Sequence, residues 1–399
     1  MTHPLHSRRA AIKTAAACAS VAAASLWAPR LAMAQGGKLR IGLMLPYTGT
    51  FAQIGVAIEN GFMLALNEQG GKVGGREVEF FKLDDESEPS KGVENASKLV
   101  QRDKVDVLVG TVHSGVQMGI HKVARDTGVL CLIPNAGVHA ATRALCAPNV
   151  FRTSFSNSQP TLALGRPMMD KGLKKAVWIS WRYAAGEEAF EGFRDSYTKA
   201  GGSILKEMSV PFPSVEFQAL LTEISALKPD AVACMFAGAG AAKFIKDYAA
   251  AGLMGKIPLW GSGFLTEGVL DTVGSAADGV VTTMHYSDAL DTPRNKQFRT
   301  AYASTFKLQP DVFSVQGYDT GLLLLKGASA VKGDLTNKAA LYKAMETGVI
   351  DSPRGKWTMS KAHNPVQDMY LRVVEKGENK IIGIAAKALA DSGAGCKMS

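Results

Sequence analysis

Short apolar runs recur along this chain, and most are followed by a segment whose apolar residues fall three and four apart. The runs at 38–46, 77–83, 105–109 and 129–134 read as strands. Between them lie a helix with Ile54, Ala57, Ile58, Gly61, Phe62, Ala65 and Leu66 on one face, and helices at 90–102 and 115–126. The pattern then restarts. Strands are expected at 176–180, 203–210, 230–236 and 257–261. They are separated by helices at 187–200, around Phe217, Leu220, Leu221, Ile224 and Leu227, and at 241–251. Nearly continuous apolar strands alternating with helices indicate parallel sheets covered on both faces. A chain of 399 residues is also long for a single core.

The expected fold is therefore α/β, with two lobes of one doubly wound architecture. After Gly279 the alternation stops, and helices at 293–306, 312–331 and 337–347 are followed by strands at 368–375 and 380–385. This last third is too small for a domain of its own and is expected to complete both lobes, so the chain must cross between them several times. The expected boundaries are 38–155 plus 284–350 for the N-terminal lobe, 156–283 plus 351–385 for the C-terminal lobe, and 386–399 for a tail. The order helix, turn, Asp, strand occurs around Asp106 and again around Asp230. Duplication of one unit and the pattern common to α/β folds both account for it.

Residues 1–34 read as a signal peptide. Ser7-Arg8-Arg9 and Lys13 precede an apolar run to Ala28, and Ala32-Met33-Ala34 offers small residues for cleavage near Ala34. The arginine pair resembles a twin-arginine signal, with an ordinary Sec signal as the alternative. The apolar run is short for a membrane span, and the mature protein is expected to be soluble and periplasmic. The leader carries four basic residues and no acid, so the formal charge of +9 falls to 41 basic against 36 acidic residues without it. With no basic stripe interleaved with aromatics, nucleic acid is not an expected partner; a monomer is expected. Cys131 and Cys234 lie in apolar strands and are expected to be buried thiols, whereas Cys146 and Cys396 sit in polar contexts. An oxidising compartment favours a disulfide between that second pair.

In open parallel sheets, ligands bind beyond the carboxyl ends of the strands. In the first lobe these ends are Tyr47-Thr48-Gly49, Gly110 to Ser114, and Asn135-Ala136-Gly137. In the second they are Trp181 to Ala184, Phe236-Ala237-Gly238, and Gly261 to Phe264. Rings, small residues and a few polar groups suit a largely apolar pocket with orienting contacts. Ser114 is placed to cap a helix or, with the free amides there, to hold a carboxylate. Enzyme signatures are missing: there is no Gly-x-Ser-x-Gly, Walker loop, His-Glu-x-x-His or Cys-x-x-Cys. Gly238-Ala239-Gly240-Ala241-Ala242-Lys243 departs from a dinucleotide fingerprint at Lys243. The seven histidines show no metal-ligand spacing. No catalytic residue, metal or cofactor is expected.

Pro46-Tyr47-Thr48-Gly49, Gly110 with His113-Ser114, Pro134-Asn135-Ala136, Asn149-Val150-Phe151-Arg152-Thr153 and Tyr183 with Gly186-Glu187 resemble the type I periplasmic binding proteins. The likeness is to the leucine/isoleucine/valine-binding family of ABC importers and spans nearly the whole mature chain. It implies two Rossmann-like lobes joined by a multi-strand hinge with three crossings, a ligand in the central cleft and an inner-membrane permease as partner. It carries over Ser114 as the carboxylate-holding serine and Tyr183 as a cleft tyrosine. Gly137 and Gly263 stand where amino-acid binders have a threonine and an acidic residue, and a buried ammonium without an anion is costly. The stretches His113-Ser114-Gly115 and Phe151 to Phe155 resemble a subgroup that binds aromatic carboxylates such as hydroxycinnamates and benzoates, as do Asp351 to Gly355 and Ser360 to Asp368. The expected ligand contacts are Tyr47, His113, Ser114, Asn135, Ala136, Gly137, Tyr183, Phe236, Gly263 and Phe264, with Arg182 as a candidate countercharge. A branched-chain amino acid or amide, or a sensing role for the exported domain, is the alternative.

Overall fold

Apolar runs too short to be helices become the buried strands of two sheets in this computed structural model, which describes Met1 and residues 37–398. The expectations for the leader lie outside the described residues. The first sheet contains β1 (Leu39–Leu45), β2 (Lys72–Val73), β3 (Arg76–Asp84), β4 (Val107–Val109), β5 (Leu130–Ile133) and β6 (Val150–Arg152), in the order β2-β3-β1-β4-β5-β6. All are parallel except the β2–β3 hairpin. Helices α1 (Ala52–Asn67), α2 (Pro89–Ser97) and α3 (Ser114–Thr127) connect them.

The second sheet begins with β7 (Lys175–Arg182), β8 (Ser203–Pro211), β9 (Ala231–Met235), β10 (Leu259–Ser262) and β11 (Val281–Met284), all parallel. Helices α4 (Ala184–Lys199), α5 (Gln218–Leu227) and α6 (Gly238–Ala250) link β7 to β10. Its far side is antiparallel: β12 (Val349–Ser352), β13 (Gly355–Met359), β14 (Pro365–Glu375) and β15 (Glu378–Leu389). Between β11 and β12 run α7 (Pro293–Phe306), α8 (Val312–Ala330) and α9 (Lys338–Glu346). Helix α8 lies along α1 with backbones almost touching. A β-carbon on Gly61 would come 1.8 Å from the Ser314 carbonyl oxygen, and one on Gly317 1.9 Å from that of Ile58. The chain thus belongs first to one sheet, then to the other, returns to pack on α1, and ends in the second sheet. Residues 38–398 lie in one compact unit.

Several elements differ from expectation. Helix 90–102 closes in a π turn over Lys98–Arg102, with Leu99 packed over Gly42. Strands β6, β11, β12 and β13 are three to five residues long and give too few repeats for a period to register. Strand β15 continues to Leu389, beyond the expected end at 385. Cys131 and Cys234 are buried free thiols, and burial pushes that of Cys131 up to about 12. Cys146 and Cys396 form a disulfide with Cα atoms 5.5 Å apart. Asp391 and Arg143 pair at 2.8 Å beside it, so the end of the chain is fastened to the loop before β6.

The first passage between the sheets, helix α8 and the turn between β12 and β13 meet at one buried knot. Arg354, just before β13, donates to the carbonyls of Thr153 at 2.6 Å and Ser154 at 3.2 Å, and pairs with Asp319 of α8 at 2.8 Å. Gln367 of β14 also donates to Ser154 O, at 2.6 Å, and Thr153 meets Thr320 through their hydroxyls at 2.7 Å. Both ionic partners are buried.

Candidate functional site

Strands β4 and β5 end beside the first turn of α3, and β7 ends beside the first turn of α4. The side chains of these tips meet. His113 caps α3: its Nδ1 accepts from the Gly115 amide at 3.1 Å, so the sequence's assignment of the cap to Ser114 is corrected by one residue. Burial lowers the His113 pKa to about 4, and the neutral ring then carries its proton on Nε2. Ser114 is the first helical residue, buried, with Oγ receiving the Asn157 amide at 3.3 Å.

From the second sheet, the Tyr183 ring stacks on His113 with centroids 4.9 Å apart and planes at 17°. Phe212, in the loop after β8, touches His113 at 4.9 Å, Tyr183 at 5.0 Å and Phe51 at 5.3 Å. Phe51, at the start of α1, also meets Trp181 of β7 edge-on at 6.1 Å. Rings from both sheets therefore close over the start of α3.

A second group lies beyond Asn157, whose backbone nitrogen donates to Gly137 O at 2.8 Å. A β-carbon on Gly137 would stand 2.3 Å from Asn157 Oδ1 and 2.7 Å from the Phe155 ring. Phe155 packs on Phe264 at 4.7 Å and on His285 at 5.9 Å. Asn135 donates to Gln316 Oε1 at 2.6 Å, and the Gln316 amide nitrogen lies 3.2 Å from His285 Nε2. With Gln316 as donor, His285 carries its proton on Nδ1, a buried atom with no hydrogen-bond partner among the described residues. Burial, with Arg354 and Arg372 near, holds the His285 pKa well below its usual value. Ala136 is buried, its amide on Thr111 O at 2.9 Å. Gly263 packs against a buried arginine: a β-carbon there would come 2.5 Å from Arg372 Nη2. Arg372 in turn pairs with Glu267 and donates to Tyr286 O at 2.7 Å.

Not every expected contact joins these groups. Tyr47 donates its hydroxyl to Glu59 of α1 at 2.7 Å and its amide to Asp84 at 2.9 Å, both within the first sheet's layer. Phe236 packs among Trp181, Phe217 and Phe244 in the second sheet's core, because the chain turns into α6 immediately after it. Arg182 is exposed. A separate groove of about 720 Å³ lies between α1 and the loops after β10 and β14, and none of the expected ligand residues lines it.

Two lobes with rings and one helix start meeting between them can hold a small anion with an apolar body, and residues 38–379 match the family model described as periplasmic binding protein. The chain belongs to that family. Among relatives, Leu/Ile/Val-binding protein homolog 6 of Brucella melitensis biotype 1 is 29% identical over 352 residues, covering 86% of this chain and 88% of that one. An ABC transporter solute-binding protein from R. palustris, solved in complex with benzoate, is 51% identical. It covers 90% of this chain and 100% of its own, with a TM-score of 0.88. Another, from Rhodopseudomonas palustris BisB5 in complex with 3,4-dihydroxybenzoic acid, is 30% identical, covers 89% of this chain and 99% of its own, and has a TM-score of 0.84. Among the described residues no helix is long and apolar enough to cross a membrane.

Sequence reasoning missed Phe51, Phe212, Asn157, His285 and Glu188, which joins the cluster through Asn157. Phe212 and His285 follow the carboxyl ends of β8 and β11, so the strand-tip rule would have found both had those ends been read. Asn157 and Glu188 carry no pattern of their own.

Proposed function

We propose that this protein is the periplasmic solute-binding component of an ABC importer, and that it closes its lobes on a small aromatic carboxylate for delivery to an inner-membrane permease. The lobes are those expected, 38–155 with 284–350 and 156–283 with 351–385, except that β12 and β15 widen the last segment of the second to 349–389, and they turn about the Arg354 knot. Their work is capture and release, with no bond made or broken. The observation that carries the reading is the ring cluster of His113, Tyr183 and Phe212 closed over Ser114 at the start of α3. The ligand carboxylate would take Ser114 Oγ, free amides of the first turn and the His113 Nε2 proton, with its ring against Tyr183 and toward Phe155 and Phe264. Closure adds the second-lobe rings, so the ligand favours the closed form by those extra contacts.

The 51% identical protein with benzoate supports the ligand class. So does Gly263: the space where an acidic side chain would meet an ammonium group is taken by Arg372, itself paired with Glu267. A thermal-shift screen, with native mass spectrometry for a co-purified acid, tests this. Benzoate and hydroxybenzoates should raise Tm and leucine should not; leucine stabilising the protein while the aromatic acids are inert would return the site to branched-chain amino acids.

A further inference from the structure

Beside the rings, a carboxyl group of the second lobe reaches the segment that follows Gly137 in the first. Glu188, in the second turn of α4, accepts the His139 backbone amide on both oxygens, at 2.9 and 3.1 Å, and the Asn157 side-chain amide at 2.8 Å. His139 lies two residues after Gly137, in the segment that follows β5. The same Asn157 nitrogen reaches Ser114 Oγ. One acidic side chain is thus tied to Gly137's segment and, through a single amide, to the serine at the start of α3.

We propose that Glu188 is a positioning residue of the binding site, latching α4 to the first lobe, and that capture of an anionic ligand takes up a proton onto it. The proposal rests on capture of a carboxylate near Ser114. A ligand carboxylate there and an ionised Glu188 would repel each other across Asn157 in a water-poor space, whereas the protonated acid keeps an acceptor oxygen for the amides and removes the repulsion.

The surrounding charges agree. Burial raises the Glu188 pKa to about 7 against the opposing effects of the His139 and Asn157 hydrogen bonds and of Arg152 and Arg143. The other groups facing it are His139 and Glu191, whose nearest atoms lie 3.8 Å apart, and Asp391 on Arg143. Burial lowers His139 to about 3, so it stays neutral in the range that matters. Arg152 is lowered by burial only to about 10 and stays charged, and Arg143 is raised. Asp391 is held well below the usual range, with Arg143 and Ser156 as partners against its burial. Of Glu188, His139, Arg143, Arg152 and Asp391, Glu188 is the group that changes charge between pH 5 and 8.

The sign follows. In the open form Glu188 would sit in solvent with an ordinary carboxyl pKa of about 4.3. Closing raises it, so between those values this carboxyl adds a bound proton to the closed, liganded form and strengthens affinity as pH falls. His113 and His139, which burial holds neutral, would release on closing the protons they carry in the open form, so the Glu188 share is read against Glu188→Gln. From pH 8 to pH 6 the ratio of the Glu188→Gln Kd to the wild-type Kd should grow by about tenfold.

The test is calorimetric titration of the purified protein with benzoate, 4-hydroxybenzoate and leucine at pH 5.5 to 8, in buffers of different ionisation enthalpy. Wild type should take up roughly 0.5–1 proton more per ligand at pH 6.5 than Glu188→Gln does. Glu188→Gln should lose that share of the pH slope, while Glu191→Gln keeps the wild-type slope; ligand-free Tm confirms that each variant folds. A Glu188→Gln variant with the wild-type slope and proton count overturns the latch. If leucine alone binds, the aromatic reading fails, and the proton count with leucine then decides the latch. Binding of none of the three overturns both.

Discussion

A side chain at position 137 has nowhere to go. Its β-carbon would press on Asn157 Oδ1 at 2.3 Å and on that residue's backbone nitrogen at 2.7 Å, and a backbone atom cannot rotate away. Gly137→Thr, the residue common in amino-acid binders, should therefore weaken benzoate by more than about tenfold in calorimetry and gain no affinity for leucine. Ser114→Ala should cost carboxylate ligands about 1–2 kcal/mol and the matching amides less, since the hydroxyl's bond to a charge is the stronger one. That Ser114 and Tyr183 follow strand tips was readable because each comes after a continuous apolar run, at 105–109 and 176–180. The cap was misplaced by one residue, because whether His113 or Ser114 turns inward depends on backbone angles that residue type does not set. Phe236 was misread for a related reason: the rule names the strand tip, but its first residue still points into the sheet's own core.

Among elements, the buried knot at the first passage between the sheets carries the greatest electrostatic stake. Arg354→Met leaves Asp319 buried without its cation and frees the Thr153 and Ser154 carbonyls. The loss should be about 3–5 kcal/mol, read as a fall in chemical-denaturation stability, and Arg354→Met with Asp319→Leu should recover part of it. Recovery of nothing would mean that the carbonyl contacts, not the ion pair, hold the knot. The disulfide acts at the same scale. Cys146 and Cys396 are 250 residues apart in sequence, so removing the link with Cys396→Ser should cost up to about 5 kcal/mol in chain-entropy terms. Equal free-thiol counts with and without reductant would show that the bond is not formed. The disulfide was legible from context alone. The ion pair was not, since Asp319 and Arg354 lie on separate elements and neither is near a repeat.

For the whole molecule, the alternation of strands and helices foretold two parallel-cored lobes, and short strands such as β6 and β11 escaped because they hold too few residues to show a period. The complete chain also has a pH signature. Burial raises Asp85 to about 6, Asp311 to about 7 and Glu188 to about 7, above the roughly 4 of an unfolded carboxyl. These carboxyls favour the folded state as pH falls from 7.5 to 5.5, whereas His113, His121, His139 and His285, which burial holds below the roughly 6.5 of an unfolded imidazole, oppose it over the same interval. Asp311→Asn removes one of the favourable groups, so its Tm should drop relative to wild type as pH is lowered across that interval; a variant with the wild-type pH dependence would mean that this carboxyl is not buried as described.

The most direct measurement is a crystal structure of the protein grown with benzoate. The carboxylate should lie at the first turn of α3 on Ser114, with the ring beside Tyr183 between the lobes. Benzoate in the groove along α1, or bound with Ser114 and Tyr183 untouched, would contradict the site and the function built on it.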